Sequence, residues 1–475
     1  MSEPGVPEYD LVVIGAGSGG LTAATFAAKL GIKVALAERY RPGGDCLYTG
    51  CVPSKALIKT AKVAHEMRHA ANVGLADAAP LVDMARVSGH VQDVIDRVYQ
   101  FESPEVLREH GVDLLTGDAR FLDPHTLQIG ERRVRGRRFI ISTGSRAAVP
   151  PVPGLAEAGF LTYDDVFHLQ TLPERLLVVG AGPIGMEMAQ AFGRLGSQVT
   201  MFQRSRRLLT MADADCSEAI AQVLRSEGVQ FHLGAEIGRV ERDGDTVAVV
   251  SGADRVEGDA ILVAAGRKPN VENLGLEQAG VAYGPRGLPV DGYLRTNQSH
   301  IFGCGDVLGG PQFTHYAAMQ GFVAVRNALL PAKTSGMIPH VPWTIFTDPE
   351  LARVGYTEEE ARERYGDGAM VTRWPIERID RAQTDEDRVG FIKVVHRANG
   401  EILGAHIVAA RAGEMIHEFV LAMEHKLKLG DLAMAMHVYP TYSIAIQQAA
   451  SSWRVKSLLQ GVTGRLINAA TRWTR

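Results

Sequence analysis

The chain has 475 residues, enough for about three domains at ~150 residues each, and 46 % apolar against 22 % charged residues fits a globular chain rather than a disordered one. The 50 Lys and Arg against 54 Asp and Glu leave a formal charge of -4, which gives no general reason to bind nucleic acid. No stretch approaches ~18 consecutive apolar residues, so no spanning helix is expected, and the short acidic segment Met1 to Asp10 has no apolar signal core, which points to the cytoplasm.

The first pattern opens the chain. The apolar run Leu11-Val12-Val13-Ile14 leads into Gly15-Ala16-Gly17-Ser18-Gly19-Gly20, then an alanine-rich helical stretch to about Leu30. A second apolar run, Val34 to Ala37, ends at Glu38. This is strand, glycine turn, helix, strand and acid, the arrangement that cradles a dinucleotide. Backbone N–H groups and a helix N-terminus meet the pyrophosphate, and the acid receives a ribose hydroxyl.

Cys46-Leu47-Tyr48-Thr49-Gly50-Cys51-Val52-Pro53-Ser54-Lys55 follows directly. Four cysteines in a chain this long make no disulfide framework, so a close pair reads as redox-active or metal-binding. On a regular helix, residues five apart are separated by about 7.5 Å along the axis and about 140° around it. A disulfide usually needs Cα atoms within about 6.8 Å, so a bridge here requires a break in the helix. Gly43, Gly44 and Gly50 permit one. Lys55 comes four residues after Cys51, one turn later on the same face, where it favours a thiolate and negative charge on a nearby ring.

The stiff run Pro150-Pro151-Val152-Pro153-Gly154 marks a linker. The first pattern then recurs. Leu176 to Val179 leads into Gly180-Ala181-Gly182-Pro183-Ile184-Gly185, and the next strand, Gln198 to Phe202, ends at Gln203. Glu38 and Gln203 stand at the same distance from their third glycines, Gly20 and Gly185. The repeat implies two dinucleotides in one chain. An acid at the strand end repels a 2′-phosphate. Gln203, followed by Arg204, Ser205, Arg206 and Arg207, attracts one, so NADPH is expected over NADH at the second site.

A polar, proline-bearing run from Lys333 to Pro342 marks the last boundary. Beyond it, alternation in Gly390 to Val395 and Ile402 to Val408 predicts an antiparallel sheet, and helical patterns cover Glu414 to His425 and Tyr442 to Ser452. Cys216 and Cys304 read as packing residues. Residues 453–475 carry Arg454, Lys456, Arg465, Arg472 and Arg475 with no acids, beside apolar residues at helical spacing. Such a basic amphipathic tail suits packing on the protein's own surface, or, as the lesser expectation, a membrane surface.

The stretch Gly43-Gly44-Asp45-Cys46 to Lys55 resembles the signature of the flavoprotein pyridine nucleotide–disulfide oxidoreductases, and the resemblance covers nearly the whole chain. Ile141 to Ser145 and Val263 to Arg267 look like the family's two strand-to-crossover turns. Gly303-Cys304-Gly305-Asp306 looks like its second FAD motif, and Phe346 to Gly355 like the opening of its dimerisation domain. The resemblance implies an α/β fold of two doubly wound nucleotide domains followed by an α+β domain that makes a homodimer. The segmentation expected is 1–150 for FAD and the disulfide, 151–270 for NADPH, 271–340 as the return of the FAD domain, 341–452 for dimerisation, and 453–475 as tail. FAD contacts fall on Gly15, Gly17, Gly20, Glu38, Gly44, Lys55, Ala119, Thr143, Gly144, Asp306 and Thr314. Nucleotide contacts fall on Gly180, Gly182, Gly185, Gln203, Arg204, Arg207 and Gly266. Cys51 is then the cysteine nearest the flavin, Cys46 meets the acceptor, and Lys55 pairs with Glu187 beside the flavin. Electrons pass from nicotinamide through flavin to the disulfide. No structural metal site is expected; Cys46 and Cys51 are candidate ligands for a soft metal acting as substrate.

The acceptor is read from His437-Val438-Tyr439-Pro440-Thr441-Tyr442-Ser443-Ile444. Disulfide reductases of the family place a His before the Pro and a Glu five residues after that His, supplied by the partner subunit as an acid–base pair. Here Tyr439 and Ile444 occupy those positions. A phenol, with a pKa of about 10 against about 6.5 for imidazole, is a poor base near neutrality. His437 lies two residues away with no acid at the family spacing, and reads as structural. A soft metal ion needs no such base, because thiolates bind it directly. The tyrosine resembles the mercuric reductase branch, although no cysteine follows Cys304. The alternatives are a dihydrolipoamide dehydrogenase or other disulfide reductase, and a low-turnover redox-sensing or lipoyl-binding flavoprotein.

Overall fold

The computed structural model describes residues 6–460, and the chain divides into two compact units. Most of the tail expected at 453–475 lies outside the described residues; helix Ile444–Gln460 takes in its first part. Among the described residues, no helix is long and apolar enough to cross a membrane.

The first unit comprises Met1–Thr60, Val82–Gly180 and Ile237–Pro339. Its centre is a five-stranded parallel sheet in the order Ile301–Gly303, Phe139–Ile141, Leu11–Ile14, Val34–Glu38, Val112–Thr116. Strands covered on both faces are apolar at every position, and Leu11 to Ile14 are all buried. Leu11, Val13, Leu36 and Ile140 face Ala23, Ala27 and Val323 of two helices, Ser18–Lys29 and Thr314–Leu329. Val12, Ile14, Ala35 and Ile141 face a second layer with Phe121 and Leu127. The two helices touch backbone to backbone: a Cβ on Gly321 would lie 2.2 Å from the Gly19 carbonyl oxygen. The first glycine turn thus leaves the carboxyl end of a central strand, the end at which open α/β sheets bind ligands.

The second unit comprises Ala61–Leu81, Ala181–Glu236 and His340–Arg475. Helix Pro183–Leu195 leads to the parallel strands Gln198–Gln203 and Gln230–Leu233. The C-terminal part is a five-stranded antiparallel sheet in the order Trp343–Ile345, Glu350–Gly355, Ile402–Ala409, Phe391–His396, Met370–Pro375. One face packs Ile392, Val394 and Ile407 against Phe419 and Ile446 of helices Ala412–Glu424 and Ile444–Gln460. Cross-strand register also aligns four basic residues in a row: Arg353, His406, Lys393 and Arg373. Acids neutralise the row. Lys393 Nζ lies 3.0 Å from Asp213, 3.1 Å from Asp215 and 2.7 Å from Glu358, and His406 Nδ1 lies 2.8 Å from Asp213. Lys393 is almost completely buried, where an ion survives only when it is paired, and burial pushes the equally buried His406 toward its neutral form.

Candidate functional site

In the first unit, Gly15 (φ 98°) allows the tight turn, and a Cβ there would sit 2.5 Å from the Ser142 carbonyl oxygen. A Cβ on Gly20 would come within 1.8 Å of the Gly15 oxygen. Helix Ser18–Lys29 starts after extended Gly17, with no side-chain cap and no acid in its first turn. That is the electropositive end a pyrophosphate needs. Glu38 folds over the turn: Ala16 N–H donates to its Oε2 at 2.7 Å and Tyr40 N–H to its Oε1 at 2.9 Å. A carboxylate has about four acceptor sites, so room remains for a ribose hydroxyl.

The cysteine segment is seated on this turn through the Gly43 N–H, which donates to the Ala16 carbonyl at 2.8 Å. The break required between the cysteines is present. Helix Gly44–Tyr48 carries Cys46, Thr49 and Gly50 interrupt it, and helix Cys51–Arg68 begins at Cys51. The cysteines are thiols in the structure. Hydrogen bonding to Cys51, then burial, pushes the Cys46 thiol far above the ordinary range. Cys51 Sγ lies 3.2 Å from Thr314 Oγ1 at the start of helix Thr314–Leu329. Lys55 Nζ donates to Ser54 Oγ at 3.3 Å.

Asp306 lies one residue past Gly305, in a short 3-10 turn. Its carboxylate accepts from Ser145 Oγ at 2.8 Å, and burial pushes its pKa up. Arg267 is the link that the sequence reading passed over. It donates to Ser145 Oγ at 2.7 Å, pairs with Asp45, approaches Asp306 to 3.5 Å, and lies over the Tyr163 ring at 4.6 Å. The Tyr163 hydroxyl beside it is buried with no hydrogen-bond partner among the described residues, which is costly unless a ligand satisfies it. Gly144 and Gly266 have positive φ, and the strands that follow, Ser145–Ala147 and Arg267–Pro269, pair antiparallel. Thr143 Oγ1 donates to the Asn270 carbonyl at 2.7 Å, and Ala119 opens strand Ala119–Asp123. Cys304 is buried, and its sulfur would meet a Cβ on Gly19 at 3.1 Å, which is a packing role. A glycine cradle, an uncapped helix, an acid over the turn and an orphaned hydroxyl together fit a flavin dinucleotide.

The second glycine turn repeats the device. Gly180 (φ 107°) approaches the Ala264 carbonyl so closely that a Cβ would lie 2.4 Å from its oxygen. In the second unit, helix Pro183–Leu195 starts after extended Gly182 with no side-chain cap, and Gly185 is buried in its first turn. Gln203 Oε1 accepts the Ala181 N–H at 3.2 Å, as Glu38 accepts that of Ala16. Arg204 and Arg206 are exposed. Arg207 is half-buried and donates to the Thr210 carbonyl at 3.0 Å. Glu187 is buried on the same helix, its Oε1 accepting the Phe346 N–H at 2.9 Å.

The motif near the C-terminus holds two pairs that sequence reading missed. His437 does have an acid, supplied by helix Ala412–Glu424: its Nε2 lies 3.0 and 3.1 Å from the Glu418 oxygens. Its Nδ1 lies 3.0 Å from the Ala435 carbonyl oxygen, so both ring nitrogens are engaged. Tyr439 is 63 % exposed and donates to Asp380 Oδ2 at 2.5 Å. Ile444 packs against the apolar core.

Comparison with known proteins agrees with this inventory. Residues 9–321 match the family profile "Pyridine nucleotide-disulphide oxidoreductase", and residues 341–450 match that family's dimerisation domain. The chain is 36 % identical over 455 residues to the mercuric reductase of Bacillus cereus, covering 94 % of this chain and 72 % of that protein. It is 35 % identical over 459 residues to the dihydrolipoyl dehydrogenase of Thermus scotoductus, covering 94 % and 97 %. Among solved structures it is similar to the HOCl-induced flavoprotein disulfide reductase RclA from Escherichia coli, at 31 % identity and a TM-score of 0.84, covering 93 % of this chain and 99 % of that one. A Cu(II) complex of RclA matches at 30 % identity with the same TM-score, covering 94 % and 100 %. The chain belongs to the pyridine nucleotide–disulphide oxidoreductases, an FAD-dependent enzyme family that uses a pyridine nucleotide, and it carries that family's dimerisation domain.

Proposed function

We propose that this enzyme is a cytoplasmic, homodimeric NADPH oxidoreductase that delivers electrons through Cys46 and Cys51 to a soft metal ion, in the manner of a mercuric reductase. The observation that carries the reading is Tyr439, which stands in the family's imidazole position with its hydroxyl donated to Asp380. A phenol there is a poor base for moving the proton of a dithiol near neutrality. Thiolate ligation of a soft cation needs no such base. The similarity to mercuric reductases and to a protein solved with Cu(II) supports the same reading.

Bound FAD supplies the two-electron relay between nicotinamide and disulfide. The first glycine turn, Glu38 and Asp306 would hold its pyrophosphate, ribose and ribityl chain. Cys51 would take the flavin-facing position, Cys46 would meet the acceptor, and Lys55, one turn after Cys51 on the same helix, would favour negative charge on the flavin. Gln203, Arg204 and the exposed Arg206 favour the 2′-phosphate of NADPH. Residues 1–150 and 271–340 serve the flavin, 151–270 the nicotinamide nucleotide, and 341–452 the dimer.

The second reading, a dihydrolipoyl dehydrogenase, rests on a nearly equal identity to those enzymes. NADPH oxidation with Hg(II) in excess thiol, run beside the same assay with lipoamide, separates the two. The soft-metal reading expects turnover only with Hg(II), lost in Cys46→Ser. Faster turnover with lipoamide overturns it.

A further inference from the structure

We infer that His65 and His69 form a surface site for a borderline divalent cation, Cu(II) foremost, at the far end of the helix that begins at Cys51. The chain reads His65-Glu66-Met67-Arg68-His69. Two histidines four residues apart share one face of a helix, which is the spacing at which a helix holds a transition metal. Helix Cys51–Arg68 carries His65, and His69 follows its last residue. The His69 N–H donates to the Glu66 carbonyl at 3.2 Å, so the chain tightens there instead of unwinding. The two imidazoles accordingly lie side by side, with ring centroids 4.2 Å apart and planes 33° from parallel.

The donor atoms are set for a ligand. His69 Nδ1 lies 2.8 Å from the His65 carbonyl oxygen. A carbonyl only accepts, so the ring proton sits on Nδ1 and the lone pair on Nε2. A backbone carbonyl on the opposite nitrogen is also what orients a metal-bound histidine. His69 is exposed and His65 half-buried, so the pair opens to solvent from an anchored base. Arg68, between them, donates through Nη1 to the Arg194 carbonyl at 2.5 Å and fixes the end of the helix. The Arg194 charge that acts on His65 is offset by Glu227 at 2.6 Å and Asp348 at 2.7 Å.

The donor set selects the ion. Imidazole suits Zn(II), Ni(II) and Cu(II), and Cu(II) binds most tightly in the first-row series. Among the described residues no group of three His, Cys, Asp or Glu side chains is placed to hold a metal, so the protein offers two nitrogens and water completes the shell. That is a nitrogen–oxygen set that Cu(II) accepts; a catalytic zinc takes three protein ligands. Binding exchanges two metal-bound waters for two imidazole nitrogens and moves no electron. Once the first ring has bound, the second binds as an intramolecular event, and an ion across both rings closes the last turn of the helix.

The test uses the full-length, tag-free holoenzyme, oxidised and freed of thiol so that the cysteines offer no thiolate. Cu(II) is titrated in a non-coordinating buffer by calorimetry and by electron paramagnetic resonance, with Ni(II) and Zn(II) in parallel. The variants are His65→Asn, His69→Asn and His125→Asn. His125 belongs to another close imidazole pair, stacked on His300 at 4.3 Å but drawn from a separate segment of the chain. The tightest Cu(II) of the wild type should show two nitrogen ligands and bind ahead of Ni(II) and Zn(II). His65→Asn and His69→Asn should each weaken it about tenfold or more, because losing either ring forfeits chelation. Ni(II) should raise the melting temperature of the wild type and of His125→Asn, and not that of the other two. His69 is exposed, so His69→Asn decides the matter even where His65→Asn folds poorly. If His69→Asn binds Cu(II) as tightly as wild type, or if His125→Asn loses the ion instead, the inference falls.

Discussion

Gly44 lies so close to Gly17 that a Cβ on it would sit 2.7 Å from the Gly17 Cα. The helix that carries Cys46 therefore rests on the first glycine turn, and the two form one packed element. Gly44 also has φ +59°, so a side chain is opposed by both strain and clash. Gly44→Ala should fold poorly or purify with less than about a tenth of the wild-type flavin. The ratio of absorbance at 450 and 280 nm measures this directly.

Nucleotide choice should divide the arginines. Arg204→Ala and Arg206→Ala should each lower kcat/KM for NADPH by about tenfold or more, the value of a charge-assisted contact. Values for NADH should barely change. Arg207 already gives one of its N–H groups to the Thr210 carbonyl, so Arg207→Ala should lower kcat/KM for NADPH by less than Arg204→Ala does. Gln203→Glu should turn preference toward NADH. Steady-state kinetics with both nucleotides checks all four.

The buried lysine is the exposed flank of stability. Lys393→Met leaves Asp213, already 6 % exposed, without its main cation. Breaking a buried pair on one side costs about 3–5 kcal/mol, read by urea denaturation. His406 and Lys393, acting against burial, hold the Asp213 carboxyl well below the usual range. Its contribution is complete above pH ~4 and is lost as pH falls through the depressed value. Acid should therefore narrow the gap between variant and wild type.

Glu350 runs the opposite way. Burial pushes its carboxyl up to about 7, although the Gly413 N–H donates to it at 2.8 Å. The folded state prefers it protonated. Its contribution is full below the ordinary carboxylate range and fades as pH rises through about 7. Glu350→Gln mimics the protonated form, so it should match wild type at pH 5 and melt about 2–4 °C higher at pH 8.5.

The parts of this fold that were legible in the sequence are those with a local backbone cause. Gly15, Gly20 and Gly180 permit conformations that a side chain would block, so the two nucleotide turns could be placed residue by residue. A bridge between cysteines five residues apart requires a break in the helix, and the chain supplies one at Thr49 and Gly50. Alternation placed the strands Phe391–His396 and Ile402–Ala409 to within a residue. The pairs Tyr439–Asp380, His437–Glu418 and Arg267–Asp45 were illegible for the converse reason. Each joins segments far apart in the chain, and no spacing rule links a loop residue to an acid on another helix. The acid missing at Ile444 is visible in the sequence; the acids that tie down His437 and Tyr439 are visible only in the fold.

The row of basic residues running through Arg353, His406, Lys393 and Arg373 sets a rule for building chimaeras. Asp213 and Asp215 arrive from one part of the sequence, Lys393 and His406 from another, and the buried lysine has its partners only when both parts are present. A hybrid that took residues 181–236 from one relative and 340–450 from another would inherit mismatched charge deep inside the protein. Swaps that keep Asp213, Asp215, Glu358, Lys393 and His406 together are the ones that should yield soluble product.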